Sequence, residues 1–202
     1  MKEQIKNIVF DVGMVLIDFC WEKHCKNLGF TEDVIEAFRV NMIQSTCWER
    51  LDEGTIEMRD AIQQFKDAMP QYQKELQVFW ADMKGFVEEY DYALPLIREL
   101  QQKNYKVYLL SNYPLEMYRL HWPEFAFFHQ VDGYVVSAVE KLAKPNPAIY
   151  QLLCNRYGLK AEECVFIDDR FINVEAAKAC GMDGIVFEGY ESLKMKLLDE
   201  GK

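Results

Sequence analysis

Residues 165–181, which read VFIDDRFINVEAAKACG, decide the fold class of this chain. The run Val165–Ile167 is apolar and β-branched, as expected for a strand buried on both faces. The acidic pair Asp168–Asp169 follows it at once, and residues 171–181 then carry a helical pattern that ends in glycine. A buried strand, a polar turn and a helix in direct succession form the repeating unit of a wound α/β sheet.

Four further apolar runs predict strands of the same sheet. They are Ile8–Phe10, Val107–Leu110, Tyr134–Val136 and Ile185–Phe187. Residues 147–158 predict a helix, because Pro147 suits a first helical turn and a glycine ends the pattern. Strands that alternate with helices favour an α/β fold with a Rossmann-like, doubly wound parallel sheet.

The interval between the first two predicted strands is far longer than one crossover helix needs. It carries three helical patterns, at residues 31–40, 55–65 and 75–83, with Thr31 and Thr55 as capping candidates. We therefore predict a helical cap at residues 19–87, inserted into an α/β core of residues 1–18 and 88–202. Hinges are expected near residues 17–20 and 83–88, and residues 92–102 supply the crossover helix.

Composition excludes several classes of function. The chain has 202 residues, half of them hydrophobic, and 33 acidic against 23 basic residues give a net charge of −10. Such a charge disfavours binding to nucleic acid or to anionic membranes. The six cysteines form no CxxC pair, and the sequence has neither a signal peptide nor a membrane-length apolar run. We predict a cytoplasmic protein with reduced thiols and a small-molecule ligand, and leave its oligomeric state open.

Polar side chains follow three of the predicted strands. Asp11, Ser111–Asn112 and Asp168–Asp169 each come directly after an apolar run, and Lys144 precedes a predicted helix. Each alone suits an ordinary turn, cap or surface position. Because ligands bind beyond the carboxyl ends of the strands in an open parallel sheet, their joint occurrence predicts a site at that edge.

These residue types suit phosphoryl transfer. A carboxylate such as Asp11 can attack phosphorus if a divalent cation on hard oxygen ligands, for example Asp11 and Asp169, relieves the repulsion between the two anions. Lys144, the Ser111 hydroxyl, and backbone N–H groups of the loop with Val12 and Gly13 and of the helix after Asn112 can hold the phosphate. The expected intermediate is an aspartyl phosphate.

Four segments, in this order, resemble the motifs of the haloacid dehalogenase superfamily. They are VFDVGMV (9–15), LLSN (109–112), KPNPAIY (144–150) and VFIDDRFINVEAAKACG (165–181). The resemblance spans the chain and implies a Mg²⁺-dependent phosphatase of small phosphate esters, with the cap in its usual place. Within the superfamily, the SN, KP and DD forms and HWPEF at residues 121–125 are most similar to α-D-glucose-1-phosphate phosphatases and to the N-terminal phosphatase domain of soluble epoxide hydrolase.

The resemblance also assigns roles to residues. Asp11 is the nucleophile, and Asp11, Lys144 and Asp168 form the catalytic set. Ser111, Asn112 and Lys144 bind the phosphate, together with the backbone at Val12 and Gly13. Asp11, Asp169 and the carbonyl of Gly13 hold Mg²⁺, while Asp168 and Asn173 orient this group of ligands.

Gly13 departs from the pattern of most phosphatases of this superfamily, which carry a second aspartate there as general acid and base. The glucose-1-phosphatase relatives share this glycine. An anomeric sugar oxygen needs less protonation than an ordinary alkoxide, so Gly13 suggests anomeric, aryl or acyl phosphates as substrates. Asp18 and His24 are weakly supported replacement acids, each also compatible with a capping or surface role.

Several other residues have two interpretations. His121 and His129 flank WPEFAFF and could line the entrance or belong to aromatic packing between cap and core. Tyr113 and Tyr150 share that ambiguity. In the relatives, the segment that corresponds to Trp48–Arg50 faces the site, but a turn between helices explains this segment equally well.

Two other functions compete with a phosphatase. A 2-haloacid dehalogenase also uses an aspartate nucleophile without the second aspartate, but it does not need the acidic pair Asp168–Asp169. A catalytically silent protein that binds a phosphometabolite or a protein partner is the second rival. Retention of Asp11, Ser111 and Lys144 argues against it.

Overall fold

The computed structural model describes residues 4–198, and seven strands form within that range. They are β1 (Asn7–Phe10), β2 (Ile17–Phe19), β3 (Val87–Glu89), β4 (Lys106–Ser111), β5 (Gly133–Val136), β6 (Cys164–Asp168) and β7 (Asp183–Val186). Five of them form a parallel sheet in the order β5-β4-β1-β6-β7. Each predicted strand is present, and the last one begins two residues earlier than predicted, at Asp183.

Eleven α-helices accompany these strands in the described range. They are α1 (Trp21–Asn27), α2 (Glu32–Phe38), α3 (Thr46–Glu53), α4 (Met58–Ala68), α5 (Gln73–Ala81), α6 (Ala93–Gln102), α7 (Leu115–His121), α8 (Ser137–Glu140), α9 (Pro147–Tyr157), α10 (Phe171–Ala179) and α11 (Tyr190–Leu198). As predicted, α9 begins at Pro147, where the Asn146 side chain accepts from Ala148 N–H at 3.0 Å.

Alternate residues of the central strand enter two different apolar clusters. Ile8 and Phe10 belong to the cluster that contains α6 and α11, whereas Val9 belongs to the one that contains α9. The sheet is therefore buried on both faces, as parallel sheets require. The predicted fold class, a doubly wound α/β sheet, is confirmed.

The strands β2 and β3 form a separate antiparallel ribbon, in which Ile17 pairs with Glu89 and Phe19 with Val87. The chain leaves the sheet through β2, forms α1–α5, and returns through β3. The sequence analysis expected two hinges here and did not predict their pairing. The division into a core of residues 1–18 and 88–202 and a cap of residues 19–87 stays a prediction.

Aromatic rings of the helical insertion between β2 and β3 pack on one another, within the same buried apolar cluster as Ile8 and Phe10 of the sheet. Phe79 stacks on Phe86 with ring centroids 4.3 Å apart, and Trp80 stacks on Phe65 at 6.1 Å. His24 is buried against this group, 5.2 Å from the Phe86 ring. An imidazole enclosed by aromatic rings serves packing, so His24 is not positioned as a replacement acid.

The predicted start of one helix was wrong. Thr55 does not cap α4, because that helix begins at Met58 with Glu57 at its cap position. The Thr55 hydroxyl instead donates to the Arg50 carbonyl at 3.3 Å, which closes the turn after α3. All six cysteines lie in the described range and are free thiols. Within residues 4–198, every helix is too short or too polar to span a lipid bilayer.

Candidate functional site

The carboxyl ends of three adjacent strands meet at one edge of the sheet. Because β1 lies between β4 and β6, Asp11 stands between Asn112 on one side and Asp168 on the other. The loop before α9 brings Lys144 to the same edge. The sequence prediction that these residues converge is therefore correct in its geometry.

The Lys144 ammonium links two carboxylates. Its Nζ lies 2.9 Å from Asp11 Oδ2 and 2.6 Å from Asp168 Oδ2, with 1% of the side chain exposed. The Asn112 amide fixes the backbone of that loop, because it donates to the Lys144 carbonyl at 2.9 Å and accepts from Lys144 N–H at 2.8 Å. These two bonds fix the position of the Lys144 loop, and the phosphate-binding role of Asn112 stays a prediction.

Asp168 is held as an anion. Besides Lys144, it accepts hydrogen bonds from Arg170 N–H at 2.8 Å and from Asn173 Nδ2 at 3.0 and 3.1 Å. Burial raises the pKa of Asp168, but the Lys144 charge and these donors outweigh burial and leave the pKa below its ordinary value. Its oxygens are already engaged, which suits the orienting role that the resemblance implies for Asp168 and Asn173.

Asp11 is a buried carboxylate, and its two oxygens contact two different donors. Val12 N–H donates to Oδ1 at 2.6 Å, and Lys144 binds Oδ2. The pKa of Asp11 is raised to about 7. Burial raises this pKa most, the Asp168 and Asp169 charges act in the same direction, and Lys144 lowers it. Burial and the two neighbouring carboxylates therefore oppose ionisation of Asp11, and Lys144 offsets them only in part.

A divalent cation would correct this imbalance. One oxygen from each of Asp11, Asp168 and Asp169 lies within 4.8 Å of the others, and Asp169 is the exposed member. Hard oxygen donors at this spacing fit Mg²⁺. Asp168 accepts four contacts, from Lys144, Arg170 N–H and twice from Asn173, against two at Asp11. Asp11 and the exposed Asp169 are therefore the carboxylates best placed to hold the ion.

These residues line one side of a cavity of about 220 Å³ that lies between the sheet edge and the helical insertion. Phe19, Trp48, Asp52 and Val87, from the ribbon and the helical insertion, also line the cavity. A cavity of this size suits a small ligand. Gly13 also borders it, and a Cβ added there would meet nothing within 4 Å, so this position is open to whatever the cavity holds.

Sequence reasoning missed Asp52 of α3. The sequence analysis considered only Trp48–Arg50 of this helix, of which Trp48 borders the cavity and the other two are exposed. The available signal was spacing, because residues four apart share one face of a helix. The pKa of Asp52 is raised to about 7. Burial is the largest cause, the Asp11 charge acts in the same direction, and Lys144 opposes both.

Ser111, a predicted phosphate ligand, is 1% exposed at the end of β4, with its hydroxyl 3.5 Å from the Asn112 carbonyl. Its role stays a prediction, as do those of Val12 and Gly13. The first amide after Asn112 is already used, because Tyr113 N–H donates to Ser137 Oγ at 2.9 Å.

The other ambiguous aromatic residues make packing and positioning contacts, and Tyr113 also lines the cavity. Tyr113 donates its hydroxyl to His121 Nδ1 at 2.8 Å, and His121 Nε2 lies 2.8 Å from the Met83 carbonyl. The Tyr150 hydroxyl donates to the Asn173 carbonyl at 2.8 Å, which fixes the start of α10. His129 is exposed and contacts the Pro123 carbonyl.

Comparison with known proteins agrees with this geometry. A family model described as haloacid dehalogenase-like hydrolase matches residues 5–181. A sesquiterpene phosphatase of Aspergillus oryzae is 28% identical over 190 residues, which cover 89% of this chain and 88% of that protein. A D-ribitol-5-phosphate phosphatase of Bacteroides thetaiotaomicron is 27% identical over 192 residues, 89% of this chain and 90% of its own.

A solved structure with similar architecture is that of a HAD family enzyme from Bacteroides thetaiotaomicron in complex with magnesium and inorganic phosphate. It is 26% identical, covers 94% of this chain and 98% of its own, and superposes with a TM-score of 0.69.

Proposed function

Because this chain belongs to the haloacid dehalogenase-like hydrolase family, we propose that it hydrolyses small phosphorylated metabolites, including sugar 1-phosphates, through an aspartyl phosphate on Asp11. It is a phosphatase, and its cofactor is Mg²⁺. The observation that carries the proposal is the buried Asp11, which Lys144 binds on one oxygen while Asp169 completes a cation site beside it.

In the proposed reaction, Asp11 Oδ attacks phosphorus and the bond to the ester oxygen breaks. Asp11, Asp169 and the Gly13 carbonyl would hold Mg²⁺, whose charge would offset that of the anionic phosphate. Lys144 holds a second positive charge at the nucleophile, and Asp168 keeps that ammonium in place. Water then hydrolyses the aspartyl phosphate and restores Asp11.

The substrate class follows from the cavity and from Gly13. About 220 Å³ of space admits a small ester, and Phe19 and Trp48 offer aromatic faces to an apolar ring surface. The resemblance to glucose-1-phosphate phosphatases supports an anomeric phosphate. An anomeric oxygen leaves more readily than an alkoxide, which lessens the demand on the position that Gly13 occupies.

The dehalogenase alternative leaves the acidic pair unexplained. Cleavage of a carbon–halogen bond requires no cation, and two further carboxylates beside Asp11 would then only raise the cost of its ionisation. A silent binding protein would likewise not need a nucleophile bound to Lys144. The arrangement therefore supports a phosphatase over both.

The test is hydrolysis of p-nitrophenyl phosphate and of a panel of hexose 1-phosphates, hexose 6-phosphates and nucleotides. We expect EDTA to abolish activity, Mg²⁺ to restore it, and Asp11→Asn to remove it in the presence of Mg²⁺. Full activity of Asp11→Asn would refute the role of Asp11. Chloride release from 2-chloropropionate in EDTA would favour the dehalogenase, and a preference for 6-phosphates would refute the substrate class.

A further inference from the structure

The proposed phosphatase needs a group that can give a proton to the departing oxygen and later take one from water. Gly13 offers no such group, and it borders a cavity whose lining contains few candidates. The described titratable side chains of that lining are Asp11, Tyr113, Lys144, Asp169, Arg170 and Asp52.

Most of these candidates are committed elsewhere. Asp11 is the nucleophile and Asp169 a cation ligand in the proposed function. Lys144 is bound to two carboxylates, and the hydroxyl of Tyr113 donates to the His121 ring. The guanidinium of Arg170 offers hydrogen-bond donors and no acceptor, so it cannot take a proton from water. Asp52 is the remaining candidate among the described residues.

The backbone of α3 is fixed against the core next to Asp52. The Ser137 hydroxyl of α8 donates to the Asp52 carbonyl, and Tyr113 N–H donates to that same hydroxyl at 2.9 Å. One residue beyond the end of α3, Gly54 has φ of 73°, and a Cβ there would lie 2.4 Å from the Ala138 carbonyl oxygen. The end of the helix therefore contacts the core backbone directly, which holds the Asp52 side chain at the cavity.

The charges around Asp52 leave it able to exchange a proton. Burial raises its pKa to about 7, and the Asp11 and Glu49 charges act in the same direction, while Lys144 and Arg170 oppose them. A group with a pKa near the working pH can serve as acid and base in turn.

We propose that Asp52, carried by the helical insertion, is the general acid and base of this enzyme and replaces the aspartate that most related phosphatases keep at the position of Gly13. The proposal rests on the phosphatase function above. In the first step, Asp11 forms a bond to phosphorus, the P–O bond of the ester breaks, and the Asp52 carboxyl gives its proton to the departing oxygen. The products are an alcohol, an aspartyl phosphate and the Asp52 carboxylate.

In the second step, the Asp52 carboxylate takes a proton from water as the water oxygen attacks phosphorus. The bond between phosphorus and Asp11 breaks, inorganic phosphate leaves, and both aspartates return to their starting states. Over the cycle one water is consumed and no other reactant is needed. Anomeric and aryl esters, whose leaving groups need less protonation, should lose less activity than alkyl esters when Asp52 is removed, so loss of Asp52 should steepen the dependence of rate on the leaving group.

The test compares Asp52→Asn with wild type and with Glu53→Gln, a matched loss of charge at the next position of the same helix, outside the cavity lining. With p-nitrophenyl phosphate, whose leaving group needs no proton, Asp52→Asn should release a rapid burst of p-nitrophenolate that matches the enzyme concentration. Steady turnover should then fall by about 100- to 10,000-fold, because hydrolysis of the phosphoenzyme lacks its base. Acid quench should trap phosphate on the protein.

With an alkyl phosphate, the burst of Asp52→Asn should disappear, because the first step now lacks its acid. Glu53→Gln should match wild type with both esters. The double variant Gly13→Asp with Asp52→Asn places a carboxylate at the open position by Asp11, and it should recover at least tenfold of the lost turnover.

Wild-type turnover in Asp52→Asn would overturn the proposal. So would an equal loss with both esters and no burst, or a folded double variant that recovers nothing. These outcomes are separable from failure of the phosphatase function. That failure would appear as activity in Asp11→Asn, or as no hydrolysis of any phosphate ester by the wild-type protein with Mg²⁺.

Discussion

Replacing His121 by alanine should weaken the link between the sheet core and the segment that precedes β3. The ring is 3% exposed and makes two hydrogen bonds of 2.8 Å, one from the Tyr113 hydroxyl to Nδ1 and one from Nε2–H to the Met83 carbonyl. The carbonyl can only accept, so the neutral imidazole carries its proton on Nε2.

The magnitude follows from the two partners that lose their bonds. Each buried polar group left unsatisfied costs about 1–3 kcal/mol, so His121→Ala should lower the free energy of unfolding by about 2–6 kcal/mol at pH 8. For a chain of this length, that corresponds to a fall in Tm of at least about 4 °C.

The cost should also depend on pH. Burial lowers the pKa of His121 below its ordinary 6.5, against the opposing effect of the Met83 carbonyl. Below pH 6.5 the unfolded chain binds a proton that the folded chain resists, so the contribution of His121 is complete above that pH and declines as pH falls. At pH 5.5 the decline reaches up to about 1.4 kcal/mol, and the variant should lack it.

The assay is urea denaturation of both proteins at pH 8 and pH 5.5, followed by near-UV circular dichroism. The difference between the two proteins isolates His121 from the carboxylates, which titrate in both. His121→Gln is the matched control, because its amide can still donate to the Met83 carbonyl but does not titrate. An equal stability of His121→Ala and wild type at pH 8, or a difference that does not shrink at pH 5.5, would refute the reasoning.

Three further outcomes are expected. Asn112→Ala should lower kcat/KM for p-nitrophenyl phosphate by about tenfold or more, because the Lys144 loop loses two hydrogen bonds, and should leave Tm within a few degrees. Gly54→Ala should lower the free energy of unfolding more than Gly158→Ala does. Both glycines have a positive φ, at which an alanine costs about 1–2 kcal/mol, but only a Cβ at Gly54 would also clash with Ala138. Millimolar Mg²⁺ should raise the Tm of wild type and have little effect on Asp169→Asn in the same thermal scan.

The sheet was predictable because its strands are buried on both faces. Val165–Ile167 and Val107–Leu110 are continuous apolar runs, and such runs identify a parallel strand without knowledge of its neighbours. The ribbon of β2 and β3 could not be predicted, because Val87–Glu89 is short, largely acidic and only partly buried. Its pairing depends on a partner about seventy residues away, which no local pattern reports.

The candidate site likewise contains residues whose position could be predicted from the sequence and one whose position could not. Asp11 and Asp168 end apolar strands, so their place in the sheet follows from the sequence. Asp52 lies in a helix among other acidic residues, and only the docking of α3 on Ser137 brings it to the cavity. The spacing of apolar residues in a helix indicates which face is buried, but not which part of the protein that face contacts.

The pairing of β2 with β3 has a consequence for how the chain tolerates change. Phe19 and Val87 are paired in the ribbon, so the chain segment between them is a loop whose two ends lie next to each other. The entropy of closing a loop grows only with the logarithm of its length, and each doubling costs about 0.6 kcal/mol. A change in the length of this segment therefore adds little chain entropy to the cost of folding, so the part of the cavity wall that it supplies can vary while the sheet keeps the nucleophile in place.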